Sequence, residues 1–552
     1  MTRPFAQRRV VAAIVAAACT IACHTTHDPA RDHTLVIALA AEPTVLFPPV
    51  IDETPGIVIT DLILERLADP GPTLDILNDA AFRPRLADRW TWAPDSLSIA
   101  FHLAQRARWH DGAPVSAHDV RFTFDVYRDT TIAALAAPLL ANIDSVQARD
   151  DLTAVFWFHH REPLQFFDAT YHIRILPRHI LDTVPRRRLR DSRFARAPVG
   201  TGPFRFARWH RGQIVELEAN ERYHGRRARF DRLVFAITSD PEIAFTRAMA
   251  GEIDVVPNLR AADVAPAARA RRLYTVRWPS LSSGLILLDL QDATAPRRAH
   301  PLLGDLRVRR AITMALDRRR IARGALGETA APAVGPLPAA LMRDPSVALL
   351  PFDTARAAWL LDAAGWRTID PDGPRRNGSR ALRFTLLVPT GSIGARRVAV
   401  IAQEQLRGVG VAMDIEATDL ASLGDRVRAH RFDAALVALD WDPSPLSARQ
   451  LWGSAAGTGD ANFSGYHSSA FDTAIGAAAA ARDPATARAR AASAFEQLVR
   501  DAPAIWLYDL RQIVAVRAGV RPAPGRPDAW WSALADWSVA DDSTARGAAP
   551  ES

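Results

Sequence analysis

Few of the residue types that perform chemistry in enzymes are available in this chain, and their spacing is not that of a catalytic motif. The chain has no lysine, so all 68 of its basic side chains are arginine, which excludes a Walker A loop, a Schiff base and a pyridoxal-phosphate site. The sequence also lacks the HExxH zinc helix, the GxSxG nucleophile turn and the GxGxxG dinucleotide loop. We therefore expect no catalytic residues and no cofactor, although a triad assembled in space from distant segments would leave no short motif.

The histidines do not improve the case for an enzyme or a metalloprotein. His110 and His118 flank a turn that contains Gly and Pro, and their spacing is not that of two metal ligands on one helix face. His159 and His160 are adjacent at the end of a predicted strand, where neighbouring side chains point to opposite faces. We expect no metal site.

The elements that would position any site belong to an ordinary globular chain. A length of 552 residues corresponds to about three to five folding units. Hydrophobic residues make up 48% and charged residues 23%, which is enough for large cores. The net charge of +7 is spread over the whole chain, with arginines interspersed among carboxylates, so we expect no nucleic-acid partner.

The N-terminus has the pattern of a targeting segment. Three arginines lie within the first nine residues, an apolar stretch covers residues 10–18, and a small-residue run ends at Cys23. This pattern resembles the signal peptide of a bacterial lipoprotein, with Cys23 as the lipid anchor and Cys19 as the alternative; an ordinary secretory signal is the rival interpretation. Because acyl chains on one cysteine hold a protein at a membrane, we expect the body on the periplasmic side of a bacterial membrane, or secreted if unlipidated.

Periodicity predicts an α/β protein. The predicted strands are 34–40, 96–103, 152–158, 214–218, 233–237, 382–388, 411–416 and 432–439. The predicted helices are 57–67, 308–320, 353–365, 395–407 and 471–500, the last with a break at Pro484, and a further helix is capped by Ser116 and Asp119. The strand–helix–strand order after residue 305 favours a parallel sheet with right-handed crossovers.

Seven segments occur in the order found in one known family. They are Pro84–Asp88, Trp109–Phe122, Pro198–Phe204, Gly251–Asp254, Arg307–Ile312, Ala363–Trp366 and Ala461–Tyr466. The chain therefore resembles family 5 of the bacterial extracellular solute-binding proteins, which includes oligopeptide- and dipeptide-binding components of ABC importers. The resemblance covers about residues 34–520. Most of these segments contain turn or capping residues, so we expect them to be scaffold rather than ligand contacts.

The resemblance implies a two-lobed, periplasmic-binding-protein-like (type II) α/β fold with a hinge and an extra subdomain inserted in the N-terminal lobe. The expected parts are a lipoprotein signal peptide (1–23), a flexible tether (24–33), the first segment of lobe I (34–82), the inserted subdomain (83–195), the second segment of lobe I (196–295), lobe II (296–505), a return to lobe I (506–539) and a disordered tail (540–552). A ligand that touches both lobes would stabilise the closed state.

The resemblance also implies an acidic residue in lobe II that pairs with the free amine of a peptide. The corresponding stretch ends a predicted strand and holds Asp440, Trp441 and Asp442 ahead of a proline. The stretch is shorter than in peptide-binding members, so either aspartate could be the anchor; we favour Asp440, with Trp441 as an apolar wall. Asn462 is a further ligand-binding candidate. The alternative is that each aspartate caps the loop before the proline.

A second departure concerns the ligand class. Family members carry an aromatic-Asn pair where the chain enters lobe II, whereas this sequence has Leu288-Asp289 followed by an insertion over residues 291–300. The same scaffold takes up sugars, opines or metal chelates in relatives, so a peptide ligand is an expectation only.

The functional prediction is a monomeric substrate-binding lipoprotein of an ABC importer, which delivers a small solute, a peptide above all, to membrane permease subunits. Two alternatives stay open. One is a ligand sensor that presents its closed form to a membrane receptor, and the other is a secreted hydrolase with a site assembled in space.

Overall fold

The computed structural model describes residues 33–292, 294–342, 344, 346–454 and 461–540. Four hydrophobic clusters, two in each lobe, divide this part of the chain into two lobes. Lobe I is built from residues before 280 together with residues after 510, and lobe II from the residues between them. This is the two-lobed division that the resemblance implies.

The strands cover both lobes. They are β1 (Thr34–Leu39), β2 (Ala68–Pro70), β3 (Phe82–Pro84), β4 (Ala87–Trp92), β5 (Ser98–Leu103), β6 (Ile143–Asp150), β7 (Thr153–Phe158), β8 (Phe204–His210), β9 (Ile214–Ala219), β10 (Arg232–Ile237), β11 (Val255–Val256), β12 (Leu273–Leu288), β13 (Gln291–Asp292), β14 (Ala295–Ala299), β15 (Ala330–Pro332), β16 (Arg376–Asn377), β17 (Arg380–Ala381), β18 (Arg383–Pro389), β19 (Ala412–Thr418), β20 (Ala434–Asp440), β21 (Ala504–Arg517), β22 (Val520–Arg521) and β23 (Ser538–Val539).

The helices pack on the faces of these sheets. They are α1 (Thr54–Ile63), α2 (Ala117–Arg128), α3 (Gln165–Thr170), α4 (Arg178–Leu181), α5 (Pro241–Ala250), α6 (Ala261–Arg269), α7 (Leu306–Met314), α8 (Arg318–Leu326), α9 (Thr354–Ala363), α10 (Ile393–Arg407), α11 (Leu420–Arg428), α12 (Ala448–Trp452), α13 (Ser469–Ala479) and α14 (Pro484–Asp501). No helix in the described ranges is both long and apolar enough to span a bilayer.

One sheet runs through both lobes. Its order is β19-β18-β20-β12-β21-β11-β1-β10-β9-β8, with β15 paired to β21. The parallel pairs predicted for the region after residue 305 are present, β18 with β19 and with β20 in lobe II. In lobe I, β1 is also parallel to β10. The long antiparallel strands β12 and β21 join the two lobes, and their register is interrupted between Pro279 and Ser283. This interruption marks the hinge.

A second, four-stranded sheet with the order β4-β5-β7-β6 lies within lobe I. Helix α2 packs on it, and its N-terminus forms the capping box predicted from the sequence: the backbone N–H of Ser116 donates to Asp119 Oδ2 at 2.8 Å. Asp119 also accepts from the backbone of Arg178 at 2.9 Å, which ties α4 to the same cap. These strands fall inside the segment assigned from the sequence to an inserted subdomain; its boundaries stay a prediction.

The family segments around His110 and Gly200 meet and form scaffold. His110 Nδ1 accepts from the Gly200 N–H at 3.2 Å while Nε2 donates to the Gly202 carbonyl at 3.1 Å, an arrangement that requires the neutral ring. Burial accordingly lowers the pKa of His110 to about 4. A Cβ on Gly200 would lie 1.8 Å from the carbonyl oxygen of Ile63, so only glycine fits at this contact.

Two predicted helices differ from the structure. The helix expected over 57–67 ends at Ile63, because the Ile63 carbonyl accepts from the Gly202 N–H at 2.8 Å instead of continuing the helix. The helix expected over 308–320 is two helices, α7 and α8. Asp317 separates them, since its carboxylate caps α8 by accepting from the backbone of Arg319 at 2.9 Å.

A carboxylate with few partners is buried beside the hinge. Asp509 lies on β21 opposite Ser283, is 7% exposed, and accepts one hydrogen bond at Oδ2 from the Ala339 N–H at 2.9 Å. Its Oδ1 is buried without a hydrogen-bond partner among the described residues. Burial raises the pKa of Asp509 to about 6, so the folded state holds its proton at pH values where the unfolded chain releases it.

Replacing Asp509 tests this interpretation. Because the folded-state pKa lies above the unfolded value, stability falls as the pH rises from about 4 to about 6, by up to about 3 kcal/mol in total. We expect Asp509→Asn to flatten this fall, measured as the free energy of unfolding in urea across that range. The exposed Asp372 supplies the control variant, Asp372→Asn, which should keep the wild-type slope. An unchanged slope in Asp509→Asn would contradict the prediction.

Candidate ligand-binding site

Asp440 ends β20 at the edge of lobe II. The residue is exposed, and its carboxylate accepts a hydrogen bond from the hydroxyl of Ser282 on β12, directly opposite. It therefore lies where the sequence places it, at the carboxyl end of a strand, but it is satisfied by its neighbour and remains in contact with solvent.

Trp441 belongs to the core of lobe II. Its ring is 5% exposed, its indole N–H donates to Ser283 Oγ at 2.7 Å, and its backbone N–H donates to the Leu281 carbonyl at 2.9 Å. The indole thus fixes the loop after β20 against the hinge segment of β12. This packing directs the next residue, Asp442, toward lobe I.

Asp442 combines the two roles considered for it. Its Oδ1 accepts from the Ser444 N–H at 2.8 Å, which is the expected turn cap before a proline-rich loop. The carboxylate also faces lobe I, where the aspartates Asp168 and Asp528 are near enough to repel it and where His172 attracts it only when its ring is protonated. Burial, followed by this repulsion, raises the pKa of Asp442.

Asn462 is engaged in its own loop. Its amide N–H groups donate to the carbonyls of Gly453 and Tyr466 at 3.1 and 2.8 Å, and its carbonyl oxygen accepts from Ser464 Oγ at 3.0 Å and from the Tyr466 N–H at 3.2 Å. With both ends of the amide in use, the side chain holds the loop in shape.

Two residues of lobe I that the sequence reasoning missed face Asp442. Asp168 lies on the short helix α3 and is 9% exposed; His172 follows one turn later, with Nε2 3.4 Å from Asp168 Oδ1. Burial, reinforced by the charge of Glu162, raises the pKa of Asp168 well above its usual value. Burial lowers the pKa of His172 to about 4, so at neutral pH its ring carries no charge to offset either aspartate.

The neighbouring carboxylates of lobe I have the partners that Asp168 and Asp442 lack. Arg526 binds both oxygens of Asp528, at 2.9 and 3.2 Å, and the Tyr171 hydroxyl donates to the same carboxylate at 2.8 Å. Asp69 lies between arginines, 2.8 Å from Arg85 and 3.4 Å from Arg66. Burial alone would raise the pKa of Asp69, but these guanidinium groups hold it far below the usual range.

The site therefore contains two carboxylates on opposite lobes, Asp168 buried and Asp442 half-buried, and neither is paired with an arginine in the described part of the chain. Burying a charge without a partner is unfavourable, so the arrangement is suited to a positively charged group that enters between the lobes. A polar cavity of about 270 Å³ lies on the lobe I side, lined among others by Glu65, Arg85, Tyr223 and Arg526. No group of three or more His, Cys, Asp or Glu residues in the described ranges has the geometry to hold a metal ion.

Comparison with known proteins identifies the scaffold. Residues 81–461 match the family model described as bacterial extracellular solute-binding proteins, family 5. The chain belongs to this family. The segments around His110 and Gly200 are thus part of the scaffold of this family. The two-lobed fold is that of the solved structures to which the chain is similar.

Two similar proteins show the extent of the similarity. The chain is 28% identical over 352 residues to the oligopeptide-binding protein AppA of Bacillus subtilis, covering 63% of each chain, and 28% identical over 494 residues to protein XP55 of Streptomyces lividans, covering 86% of this chain and 84% of XP55. The AppA match thus spans less than two thirds of that relative.

Solved structures extend the similarity to most of the fold. The substrate-binding protein CtaP of Listeria monocytogenes superposes with a TM-score of 0.80 at 22% identity, and AppA of B. subtilis in complex with a nonapeptide with a TM-score of 0.72 at 23% identity. Each match covers 92% of this chain and 99% of the other.

The residues next to Asp168 in the sequence could have revealed it as a candidate. An aspartate and a histidine one helical turn apart stand in an aromatic run, Gln165–His172, where an unpaired carboxylate is out of place. The proposed lipid anchor Cys23, its alternative Cys19 and the final tail residues lie outside the described residues.

Neutralising either aspartate should stabilise the ligand-free protein at neutral pH. Both pKa values are raised, so each carboxylate lowers stability as the pH rises above about 4, the ordinary value for aspartate. We expect Asp168→Asn and Asp442→Asn to increase the melting temperature at pH 7 but not at pH 4, as measured by calorimetry. Asp440→Asn is the matched control and should change little, since Asp440 is exposed. A lower melting temperature at pH 7 for both variants would contradict the prediction.

Proposed function

We propose that the protein is the substrate-binding component of an ABC importer and that it captures a small cationic solute, a peptide with a free amine, between its lobes. It performs no chemistry on the ligand. The observation that carries the proposal is the pair of shielded, uncompensated carboxylates, Asp168 on lobe I and Asp442 on lobe II. An ammonium between them would offset both charges and would bind to both lobes at once, which favours the closed state.

The similar proteins support a peptide as the ligand. AppA of B. subtilis is named as an oligopeptide-binding protein and its structure contains a nonapeptide. A peptide presents an ammonium at one end and backbone polar groups along its length, for which the polar cavity beside Arg526 offers partners. The closed form would then be presented to permease subunits in the membrane.

The proposal moves the amine anchor from Asp440 to Asp442. The sequence favours Asp440 because it follows the strand directly. The contacts favour Asp442, because Asp440 is exposed and occupied by Ser282, whereas Asp442 faces the other lobe. Trp441 then acts behind the site, by holding the loop that carries Asp442. Asn462 acts in the same way through its own loop.

The ligand that co-purifies with the native protein tests this function. Mass spectrometry of material released by denaturation should identify a peptide or another small amine. Calorimetric titration with that compound should show weaker binding to Asp442→Asn by roughly two to three orders of magnitude, because removing one partner of a buried charge pair costs about 3–5 kcal/mol.

Asp440→Asn serves as the control in the same titration and should bind nearly as well as the wild type. An anionic or neutral ligand, or an Asp442→Asn variant with wild-type affinity, would refute the cationic-ligand proposal. Loss of binding in Asp440→Asn with Asp442→Asn unaffected would return the anchor to Asp440.

We further propose that Cys23 carries the lipid that holds the protein at the membrane. Metabolic labelling with palmitate should tag the wild-type protein, and Cys23→Ala should abolish the label. Cys19→Ala is the matched control and should still be labelled. Labelling that depends on Cys19 would move the anchor, and an unlabelled, released wild-type protein would favour an ordinary secretory signal.

A further inference from the structure

A loop of lobe I inserts a side chain into the core of lobe II. The loop, residues 71–81, joins β2 to β3, and Leu74 near its tip is 2% exposed. Every other buried residue of the hydrophobic cluster that contains Leu74 lies between residues 281 and 506. The lobes therefore share a buried apolar contact whose fully buried lobe I side chain is this leucine, with the partly buried Leu164 packed against the same cluster.

Further contacts of the same loop reach lobe II. Leu77, which is 8% exposed, packs against Ala481 and Ala487 on the helical hairpin of α13 and α14. Between these two leucines, Asp75 Oδ1 lies 2.5 Å from Arg488 Nη2. The loop thus alternates apolar, charged and apolar contacts along one side of α14.

The loop is anchored to lobe I at its far end. Asp79 accepts a hydrogen bond from the indole N–H of Trp92 on β4 at 2.8 Å, and Asn78 caps the short turn that follows by accepting from the Ala80 N–H at 3.2 Å. Any opening of the lobes must therefore withdraw Leu74 and Leu77 from lobe II, because the loop is tied to lobe I by the Asp79–Trp92 bond and by the strands at its two ends.

Two features show that the contact is held by packing and is able to release. Leu74 has a φ of +52°, a left-handed backbone conformation that a leucine adopts only where surrounding contacts enforce it. An apolar cavity of about 60 Å³ remains where the loop meets lobe II, lined among others by Ile76, Met342, Pro443 and Phe495. Side chains that border a void lose part of their packing attraction, so the interface is weaker than a sealed core.

We propose that residues 71–81 form a clasp that holds the two lobes together before any ligand binds. The clasp raises the fraction of molecules that are closed before ligand binds. The apparent dissociation constant equals the intrinsic constant divided by the fraction of molecules in the binding-competent state, so a larger closed fraction gives tighter apparent binding. It therefore strengthens binding of every ligand by the same factor, whereas Asp168 and Asp442 select which ligand enters. The inference does not depend on the ligand's identity.

The radius of gyration of the ligand-free protein tests the clasp. Small-angle scattering of wild-type protein stripped of ligand should give the value calculated for the closed structure. Leu74→Ala/Leu77→Ala should give a larger value, since each lost leucine contact lowers the ratio of closed to open molecules by about tenfold or more. The matched control is Leu135→Ala/Leu139→Ala, which truncates two exposed leucines of lobe I and should leave the radius unchanged.

The variant Arg488→Gln tests the clasp independently, in case the leucine variant does not fold. It removes the ion pair with Asp75 at a partly exposed site and should also enlarge the radius of gyration, though by less than the leucine variant does. The control Arg383→Gln breaks the ion pair with Asp414 inside lobe II and should leave the radius unchanged. The proposal is wrong if the ligand-free wild-type protein has the radius of gyration of an open form. It is also wrong if both the leucine variant and the Arg488 variant keep the radius of the closed form. Either result would leave the proposed ligand site intact, because no ligand takes part in the measurement.

Discussion

A carboxylate that is shielded from water needs a positive partner if it is to stay charged, and the interface between the lobes is organised around this requirement. On the lobe I side the requirement is met from within the chain, by Arg526 for Asp528 and by Arg66 and Arg85 for Asp69. Across the interface it is not met, because neither Asp168 nor Asp442 forms an ion pair with an arginine in the described residues and the histidine beside them is neutral. The closed interface is thus electrostatically incomplete, and the proposed cationic ligand would complete it.

The remainder of the fold brings these two carboxylates together and allows them to separate. Trp441 fixes the loop of Asp442 against β12, while α3 presents Asp168 from the other lobe. The joint between the lobes consists of two hydrogen-bonded strands, β12 and β21, whose register is interrupted at the hinge. Two paired strands resist bending in the plane of the sheet but twist more readily, so they restrict the relative motion of the lobes.

Much of the fold could be predicted from the sequence, because local patterns determine local structure. The alternation of residues 382–388 and the Ser116–Asp119 capping box each depend on side chains within a few positions, and both are present. Errors arose where a distant segment intervened. Helix α1 ends at Ile63 because Gly202, far along the chain, takes its carbonyl, and no local pattern near Ile63 indicates this.

The candidate site was only half predictable for the same reason. The loop after β20 was predicted to hold ligand contacts, and this stays a prediction; the choice between Asp440 and Asp442 depends on how Trp441 packs and how Ser444 turns the chain. Asp168 stands 274 positions before Asp442, and their proximity is a property of the closed lobes. The insertion of Leu74 into the other lobe likewise leaves no trace in the sequence, where it looks like any apolar loop residue.

The continuous sheet also constrains the order in which the molecule can be made. The first strand, β1, pairs with β11, and β11 pairs with β21 near the end of the chain. Lobe I therefore cannot complete its sheet until the ribosome has synthesised all of lobe II and the strand that follows it. Such long-range pairing folds slowly, and the N-terminal half stays without its last strand throughout synthesis. A chain with this topology therefore remains incompletely folded for most of its synthesis.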